Sequence, residues 1–405
     1  NSQDGGQGSL RQFLLNANAI AGPAAGQFNI PTTDPNYNTS IANAFVVRPA
    51  SALPSLTDNA TLLEGTTQET NQGDLRAGLP DIVVDGVNAG ANAIGLTIYS
   101  NINTMRKLDI RNFNQGNGTG VIVDGGDNNT LTDNYITANT NNSGATGAIQ
   151  FYNATDANTI TGNTIIGNFS DGLNIPGGAD NLVTNNISTN NGQDGFVLGG
   201  TRMTFNNNTA QNNGPAVTNA CGVELNAGLT NSVIAGNVSS GNGFQGGICL
   251  IGTPSSNNTI GPNNTISSNA GAGISSPLAA SVNNLFTQNV IFANGGLGID
   301  LETSGVTLND SGDGDAGSNG LMNFPVIYTA TISSGNVTIT GEARPGAVVE
   351  FFTSDPDSSG YGEGSAFIGS NTVGGAIPGA VDPSALQFTF NFPAGSLAVG
   401  NQITA

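Results

Sequence analysis

The stretch DGLNIPGGADNLVTNNISTNNGQDGFVLGG, residues 171–200, contains the pattern that decides the fold. In it, glycine twice precedes a run of alternating apolar residues, as Gly172-Leu-Asn-Ile and Gly195-Phe-Val-Leu. A run this short with alternating hydrophobicity is typical of a β-strand with one buried face. Asparagine pairs separate the two runs, as expected where a chain bends between strands.

The same pattern recurs along most of the chain in two columns. The glycines of the first column are Gly95, Gly120, Gly147, Gly172, Gly195, Gly222, Gly247, Gly273 and Gly298, spaced by 25, 27, 25, 23, 27, 25, 26 and 25 residues. The second column begins at Asn134, Asn163, Asn185, Asn207, Asn237, Asn264 and Asn289. Each of these is followed five residues later by a second asparagine, at Asn139, Asn168, Asn190, Asn212, Asn242, Asn269 and Asn294. Two columns in phase indicate a repeat protein in which each repeat is one coil.

A single coil of this kind cannot bury its apolar face, but coils stacked about 4.8 Å apart enclose a continuous core. The sequence therefore predicts an all-β fold, a right-handed parallel β-helix with coils of about 25 residues. A helical solenoid is excluded because no apolar period of 3.6 residues runs through the coils, and no strict six-residue repeat indicates a left-handed β-helix. We expect stacked asparagines to form amide ladders. Leu173, Phe196, Leu225 and Ile248 are expected to be buried in one column.

Both ends of the chain differ from the coils. Near the start, Leu10, Phe13, Leu14 and Ala17 form the apolar face of a short helix that Ser9 can cap, and this helix would cover the first coil. From about Asn323 the glycine columns stop, and runs at 336–340, 347–352 and 386–392 predict antiparallel strands. We therefore divide the chain into a β-helix with its cap, residues 1–322, and a small Ig-like β-sandwich, residues 323–405.

Several segments resemble bacterial right-handed parallel β-helix repeat proteins that carry a following Ig-like domain. GSLRQFLLNANA at 8–19 is similar to the entry segment of that family, and GGLGIDL at 295–301 and LNDSGDGDAGSNGLMNFPV at 308–326 resemble its exit. The family consists of large secreted or cell-surface proteins, mostly without an assigned activity. The resemblance implies this architecture and a surface location, and it carries over no catalytic residues.

The charge of the chain limits its partners. It has 8 Lys and Arg against 28 Asp and Glu, a formal net charge of −20, and therefore lacks the basic surface that nucleic acids require. No apolar run approaches the length needed for membrane insertion. The start at Asn1, without methionine or an apolar leader, suggests a mature secreted protein. Cys221 and Cys249 fall in columns three residues apart, so we expect free, partly buried thiols.

Candidate chemistry is limited to carboxylates, because the chain has no histidine. Asp171 and Asp194 precede the repeat glycine in adjacent coils and should stack about 5 Å apart. They form an acid pair, a calcium site or simply two Asp-Gly turns. Glu224 and Asp300 share an outward column but lie three coils apart, too far to cooperate.

An acidic loop after the last coil carries the candidate metal site. Asp310, Asp313, Asp315 and Asn319 are spaced as in calcium-binding loops, although the loop lacks the final glutamate of an EF-hand. The sequence thus predicts Ca²⁺ as a cofactor at these four residues.

Without recognisable catalytic groups, the sequence predicts a non-catalytic extracellular or cell-surface protein that is not an enzyme. It would serve as an adhesive stalk or a structural subunit of a filament, and it would associate with itself or with other surface proteins and glycans. The alternative is a polysaccharide-binding or polysaccharide-cleaving β-helix protein.

Overall fold

The computed structural model of the protein describes residues 1–140, 147–214, 219–301, 305–357 and 359–405. These residues form a right-handed parallel β-helix followed by small antiparallel sheets, which confirms the predicted fold class. Among them, no helix has the length and apolar character needed to cross a membrane.

Three parallel sheets form the walls of the β-helix, and their strands are numbered in chain order. Sheet 1 contains β1 Ala24–Gln27, β3 Thr61–Glu64, β6 Thr104–Arg106, β9 Thr130–Thr132, β12 Thr159–Thr161, β15 Leu182–Thr184, β18 Thr204–Asn206, β21 Val233–Ala235, β24 Thr259–Ile260 and β27 Leu285–Phe286. Sheet 2 contains β2 Phe45–Val47, β4 Ile82–Asp85, β7 Asp109–Arg111, β10 Tyr135–Thr137, β13 Thr164–Ile166, β16 Ile187–Thr189, β19 Thr209–Gln211, β22 Val238–Ser240, β25 Thr265–Ser267 and β28 Val290–Phe292. Sheet 3 contains β5 Ile94–Ile98, β8 Thr119–Asp124, β11 Ile149–Tyr152, β14 Leu173–Ile175, β17 Phe196–Leu198, β20 Cys221–Leu225, β23 Gly246–Leu250, β26 Ala272–Ser275 and β29 Ile299–Asp300.

Helices and antiparallel strands complete the described chain. The α-helices are α1 Leu10–Ala19 and α2 Thr66–Gln72, with short 3₁₀ turns at Gly86–Asn88 and Ser318–Leu321. The antiparallel strands are β30 Val326–Ser333, β31 Asn336–Ala343, β32 Val348–Asp355, β33 Glu363–Thr372, β34 Leu386–Pro393 and β35 Ile403–Thr404. They form two three-stranded sheets, in the orders β30-β31-β34 and β33-β32-β35. The domain boundary at 322/323 and the Ig-like character of these sheets stay predictions.

Helix α1 begins as predicted. The Ser9 hydroxyl accepts a hydrogen bond from the backbone N–H of Gln12 at 3.2 Å, while Leu10, Leu14 and Ala17 are buried against the first coils. The helix therefore closes the N-terminal end of the core.

The core follows the predicted alternation with local shifts of register. Leu173, Phe196, Leu225 and Ile248 are all buried. Val223, however, lies between Phe196 and Ile248 in the stack, while Leu225 belongs to the adjacent column with Leu198. In the glycine column, Ala148 rather than Gly147 occupies the shared position, because Ile149 pairs with both Val121 and Leu173.

Asparagine ladders run along the core at the bends, as predicted, but the register of two coils needs correction. Asn186, Asn191, Asn208 and Asn213 occupy the ladder positions, rather than Asn185, Asn190, Asn207 and Asn212. The latter four have positive φ between 53° and 57°, a conformation that asparagine tolerates better than most residues. In each ladder, a buried side-chain oxygen accepts the backbone N–H of the preceding coil, as Asn163 does from Asn134 at 3.0 Å.

The open end of the β-helix is capped by acidic and amide side chains from the segment that follows. Glu363 accepts hydrogen bonds from the backbone and side chain of Asn294, and Asp355 accepts one from the Ala293 N–H at 2.9 Å. Glu350 accepts the Gln288 N–H at 2.7 Å. These carboxylates satisfy donors that a further coil would otherwise satisfy.

Candidate active site

Three carboxyl groups gather on the outer face of sheet 3. Asp171 and Asp194 lie two residues before β14 and β17, and Glu224 is the fourth residue of β20, so the three residues come from consecutive coils. Their exposed fractions are 2%, 7% and 8%. Burying three acids together costs free energy unless protons or hydrogen bonds compensate, and such costs are typical of functional sites.

Hydrogen bonds connect the first two acids. One oxygen of Asp171 accepts the Asp194 N–H at 3.2 Å, and its other oxygen accepts the side-chain amide of Asn174 at 3.4 Å. Asp194 in turn accepts the backbone N–H of Cys221. The predicted stacking of Asp171 and Asp194 is therefore present, and each carboxylate also orients the backbone of the next coil.

Glu224 joins the pair through an offset between adjacent coils. Cys221 is the strand partner of Asp194 in the next coil, and Glu224 follows Cys221 by three residues. The Glu224 side chain nevertheless interacts with that of Asp194 and also accepts a hydrogen bond from Asn226. The sequence did not predict this contact, because Glu224 and Asp194 fall in different columns of the repeat.

The disulfide bond Cys221–Cys249 shows the same offset and corrects the expectation of free thiols. Cys249 follows Gly246, the strand partner of Cys221, by three residues. Three residues of straight strand would span about 10 Å. The Cα atoms of the two cysteines lie only 6.2 Å apart, so the backbone bends at the start of these strands. The bend brings close together residues that lie in different columns of the repeat.

The environment shifts all three acids toward their protonated forms. Burial, and then the charge of Glu224, raises the pKa of Asp171 to about 6 against the hydrogen bonds that it accepts. The pKa of Asp194 is raised well above its ordinary value by burial first, and then by the charges of Asp171 and Glu224. The pKa of Glu224 is also raised by burial, while its contact with Asp194 opposes the shift. Asp194 thus holds the proton in its contact with Glu224.

Asp300 lies in the same column as Glu224, separated from it by Cys249 and Ser275. This places it three coils away, as predicted, and outside the carboxyl cluster.

The predicted calcium ligands have other partners or lie apart. Asn319 extends an asparagine ladder, because its side chain accepts the Asn284 N–H at 2.9 Å and donates to the Asn284 carbonyl at 2.7 Å. Asp313 pairs with Arg344 at 2.8 Å, Asp310 accepts the Gly314 N–H, and Asp315 is exposed. Calcium binding by this loop stays a prediction.

Another acidic group meets the geometry of a metal site more closely. Within the described residues, Glu69, Asp74 and Asp81 are the acidic side chains that bring three ligand oxygens within 4.8 Å of one another. Lys107 already pairs with Glu69 at 3.4 Å, and Asp81 accepts the N–H groups of Leu75 and Arg76.

Comparisons with known proteins agree with the fold. Residues 82–225 match the family model described as right handed beta helix region. The A-module of mannuronan C-5 epimerase AlgE4 from Azotobacter vinelandii superposes with a TM-score of 0.53 at 18% identity, over 73% of this chain and 76% of that one. Pectate lyase Pel9A gives a TM-score of 0.41 at 15% identity, over 73% of each chain. No curated protein is significantly similar in sequence.

These similarities overturn one prediction. The sequence predicted a protein that is not an enzyme, but the structures that share its fold include the epimerase above. That prediction was wrong because it found no recognisable catalytic groups beyond the Asp171–Asp194 pair and did not place Glu224 beside that pair. The chain is a right-handed parallel β-helix protein whose residues 82–225 match the right handed beta helix region family.

Proposed function

We propose that the protein is a polysaccharide-cleaving enzyme, a glycoside hydrolase with its active site at Asp171, Asp194 and Glu224. The observation that carries the proposal is the cluster of three buried carboxyl groups from consecutive coils, in which Asp194 contacts both Asp171 and Glu224. Glycoside hydrolysis requires this combination of one proton donor and one carboxylate.

The roles follow from the pKa shifts. Asp194, whose pKa is raised well above its ordinary value by burial and by the charges of Asp171 and Glu224, donates its proton to the glycosidic oxygen as the bond from that oxygen to the anomeric carbon breaks. Asp171, with a pKa of about 6, is mostly ionised at neutral pH and assists attack at the anomeric carbon. A water molecule supplies the oxygen of the new hydroxyl group and gives its other proton to the Asp171 carboxylate, so each cleavage yields one new reducing end. Glu224 accepts a hydrogen bond from Asp194 and keeps the acid oriented.

We further propose that the protein acts outside the cell. Support comes from its disulfide bond, because such bonds persist in oxidising compartments and are rare in the cytosol.

Release of reducing ends from a panel of polysaccharides tests the proposed activity. Asp194→Asn preserves the size of the side chain but cannot donate the proton, so activity should fall at least about 100-fold. Asp180→Asn is the matched control, because Asp180 is half exposed and pairs with Arg202 away from the cluster. Equal activity of Asp194→Asn and the wild-type protein would refute the proposal.

A further inference from the structure

We infer that the carboxyl cluster acts on an uncharged polysaccharide, bound along a line of exposed tyrosines on sheet 3, and this inference rests on the proposed function. The relevant features are two aromatic side chains, an unpartnered buried acceptor and the sign of the local charge.

Tyr99 and Tyr152 lie on the same face as the cluster, in the coils that precede it. Val123 pairs with Ile98 and Asp124 pairs with Tyr152, so Tyr99, Asp124 and Tyr152 follow one another in a column. The two tyrosines are therefore two coils apart, about 10 Å. Their exposed fractions are 51% and 38%, which leaves ring surface for a ligand.

The column two residues from the tyrosines leads to the acids, because Gln150 is followed in it by Asn174, Val197 and Glu224. Gln150, two residues before Tyr152, pairs with Asn174, whose amide donates to Asp171. Tyr152 is thus one coil and two residues from the side chain that touches the cluster. A sugar ring presents an apolar face of C–H groups, and an exposed tyrosine offers a flat apolar surface with a polar tip. A polysaccharide that crosses sheet 3 obliquely, shifting toward the N-terminal ends of the strands as it passes from coil to coil, would meet the tyrosines first and the acids next.

A buried acceptor beside the cluster favours a ligand that donates hydrogen bonds. The side-chain oxygen of Asn174 is buried and has no hydrogen-bond partner, although its amide nitrogen is used by Asp171. Leaving such an acceptor unpaired is costly, and a sugar hydroxyl would satisfy it. The donor must be a hydroxyl group, because an ionised carboxylate offers only acceptors.

The local charge also opposes an anionic substrate. Asp124 lies between the two tyrosines, its charge helps to raise the pKa of Tyr152, and Asp171 and Glu224 lie beyond. From residue 112 to 343 the sequence contains one basic residue, Arg202, which is engaged by Asp180 at 2.7 Å. A polymer with a carboxylate on each sugar would face like charges along this line.

The test compares neutral glucans, xylans and mannans with alginate and polygalacturonate. Binding of the full-length Asp194→Asn protein is measured by affinity electrophoresis, and reducing-end release is measured with the wild-type protein. We expect retardation by at least one neutral polymer, about tenfold weaker in Tyr99→Ala and in Tyr152→Ala. Tyr361→Ala, a half-exposed tyrosine in the C-terminal region, should bind as tightly as the parent protein.

The outcomes separate this inference from the proposed function. Binding of a neutral polymer without cleavage would refute hydrolysis and leave the binding site standing. Cleavage of a polyuronate would support hydrolysis and overturn the choice of an uncharged substrate. Failure of every neutral polymer to bind, or binding unaffected by both tyrosine substitutions, would overturn the inference.

Discussion

Glu363 accepts hydrogen bonds from the backbone N–H and the side-chain amide of Asn294, at 2.9 and 3.0 Å, in the place that another coil would occupy. Glu363→Ala would leave the Asn294 N–H without this acceptor and its side-chain amide with only the Ile266 and Phe292 carbonyls, and it should lower the free energy of unfolding by about 2 kcal/mol. Denaturant unfolding measures this change. Glu363→Gln keeps one acceptor oxygen, so its free energy of unfolding should fall by less than that of Glu363→Ala. Equal decreases in the two variants would argue against the capping role.

The stability of the protein should fall as pH rises, because of the carboxyl cluster. A folded-state pKa of about 6 for Asp171, above its ordinary 3.8, means that the folded protein holds a proton that the unfolded chain releases. The stability is fully present below about pH 4 and decreases through pH 6, by about 3 kcal/mol for this residue alone. Unfolding measured between pH 4 and pH 8 tests the sign, and a rise over this range would contradict the assignment.

Asp194→Asn should separate stability from activity. The amide places a hydrogen-bond donor beside Glu224, as the protonated acid does, and it cannot become a buried charge. We expect a higher melting temperature than that of the wild-type protein at pH 7.5, a weaker dependence of stability on pH, and no hydrolysis. A lower melting temperature at pH 7.5 would show that Asp194 is not held protonated.

Hydrolysis should have an acidic limb governed by Asp171. Its carboxylate must be ionised, so kcat/KM should rise with pH through an apparent value near 6, while the protonation of Asp194 maintains activity above it. The measurement is the pH profile of kcat/KM on the best polymer of the panel. A pH profile without this rise would mean that a residue other than Asp171 supplies the ionised carboxylate.

The disulfide should be detectable and stabilising. Thiol titration of the denatured, unreduced protein should find no free cysteine, because the two cysteines of the chain form the pair Cys221–Cys249. Replacing both with serine should lower the free energy of unfolding by about 3 kcal/mol. Two titratable thiols per chain would contradict the bond.

A substitution at Phe196 should strongly reduce stability, because this side chain is fully buried and packs edge-on against Phe205, with ring centroids 5.0 Å apart. Phe196→Ala should cost about 3–5 kcal/mol. Phe244→Ala is the control, since that side chain is 60% exposed and its loss should change stability little. Similar effects of both substitutions would mean that the core is wrongly assigned.

Much of the β-helix could be predicted from the sequence, because inward positions must be apolar and stack in columns. The errors in register arose where two neighbouring residues fitted the same column equally well. In the doublet Asn185-Asn186 either residue fits the column, and only the backbone shows that Asn185 takes the positive φ while Asn186 turns inward. Gly147 and Ala148 posed the same ambiguity, since both are small.

The candidate site could be predicted only in part. Asp171 and Asp194 share a column, so their proximity could be inferred from period alone. Glu224 reaches Asp194, and Cys249 reaches Cys221, only because the backbone bends at the start of each strand. A column alignment treats strands as straight and therefore misses contacts between positions three residues apart.

Because of this offset, each residue on the outer face of sheet 3 is located by two coordinates, the coil to which it belongs and its position within that coil. The Asp194–Glu224 pair and the Cys221–Cys249 pair occupy the same relative coordinates, shifted by one coil. The disulfide bond and the contact between the two acids therefore use the same geometric relation between adjacent coils. In such a protein, chemistry can be moved along the axis by exchanging two side chains, without redesigning the backbone that holds them.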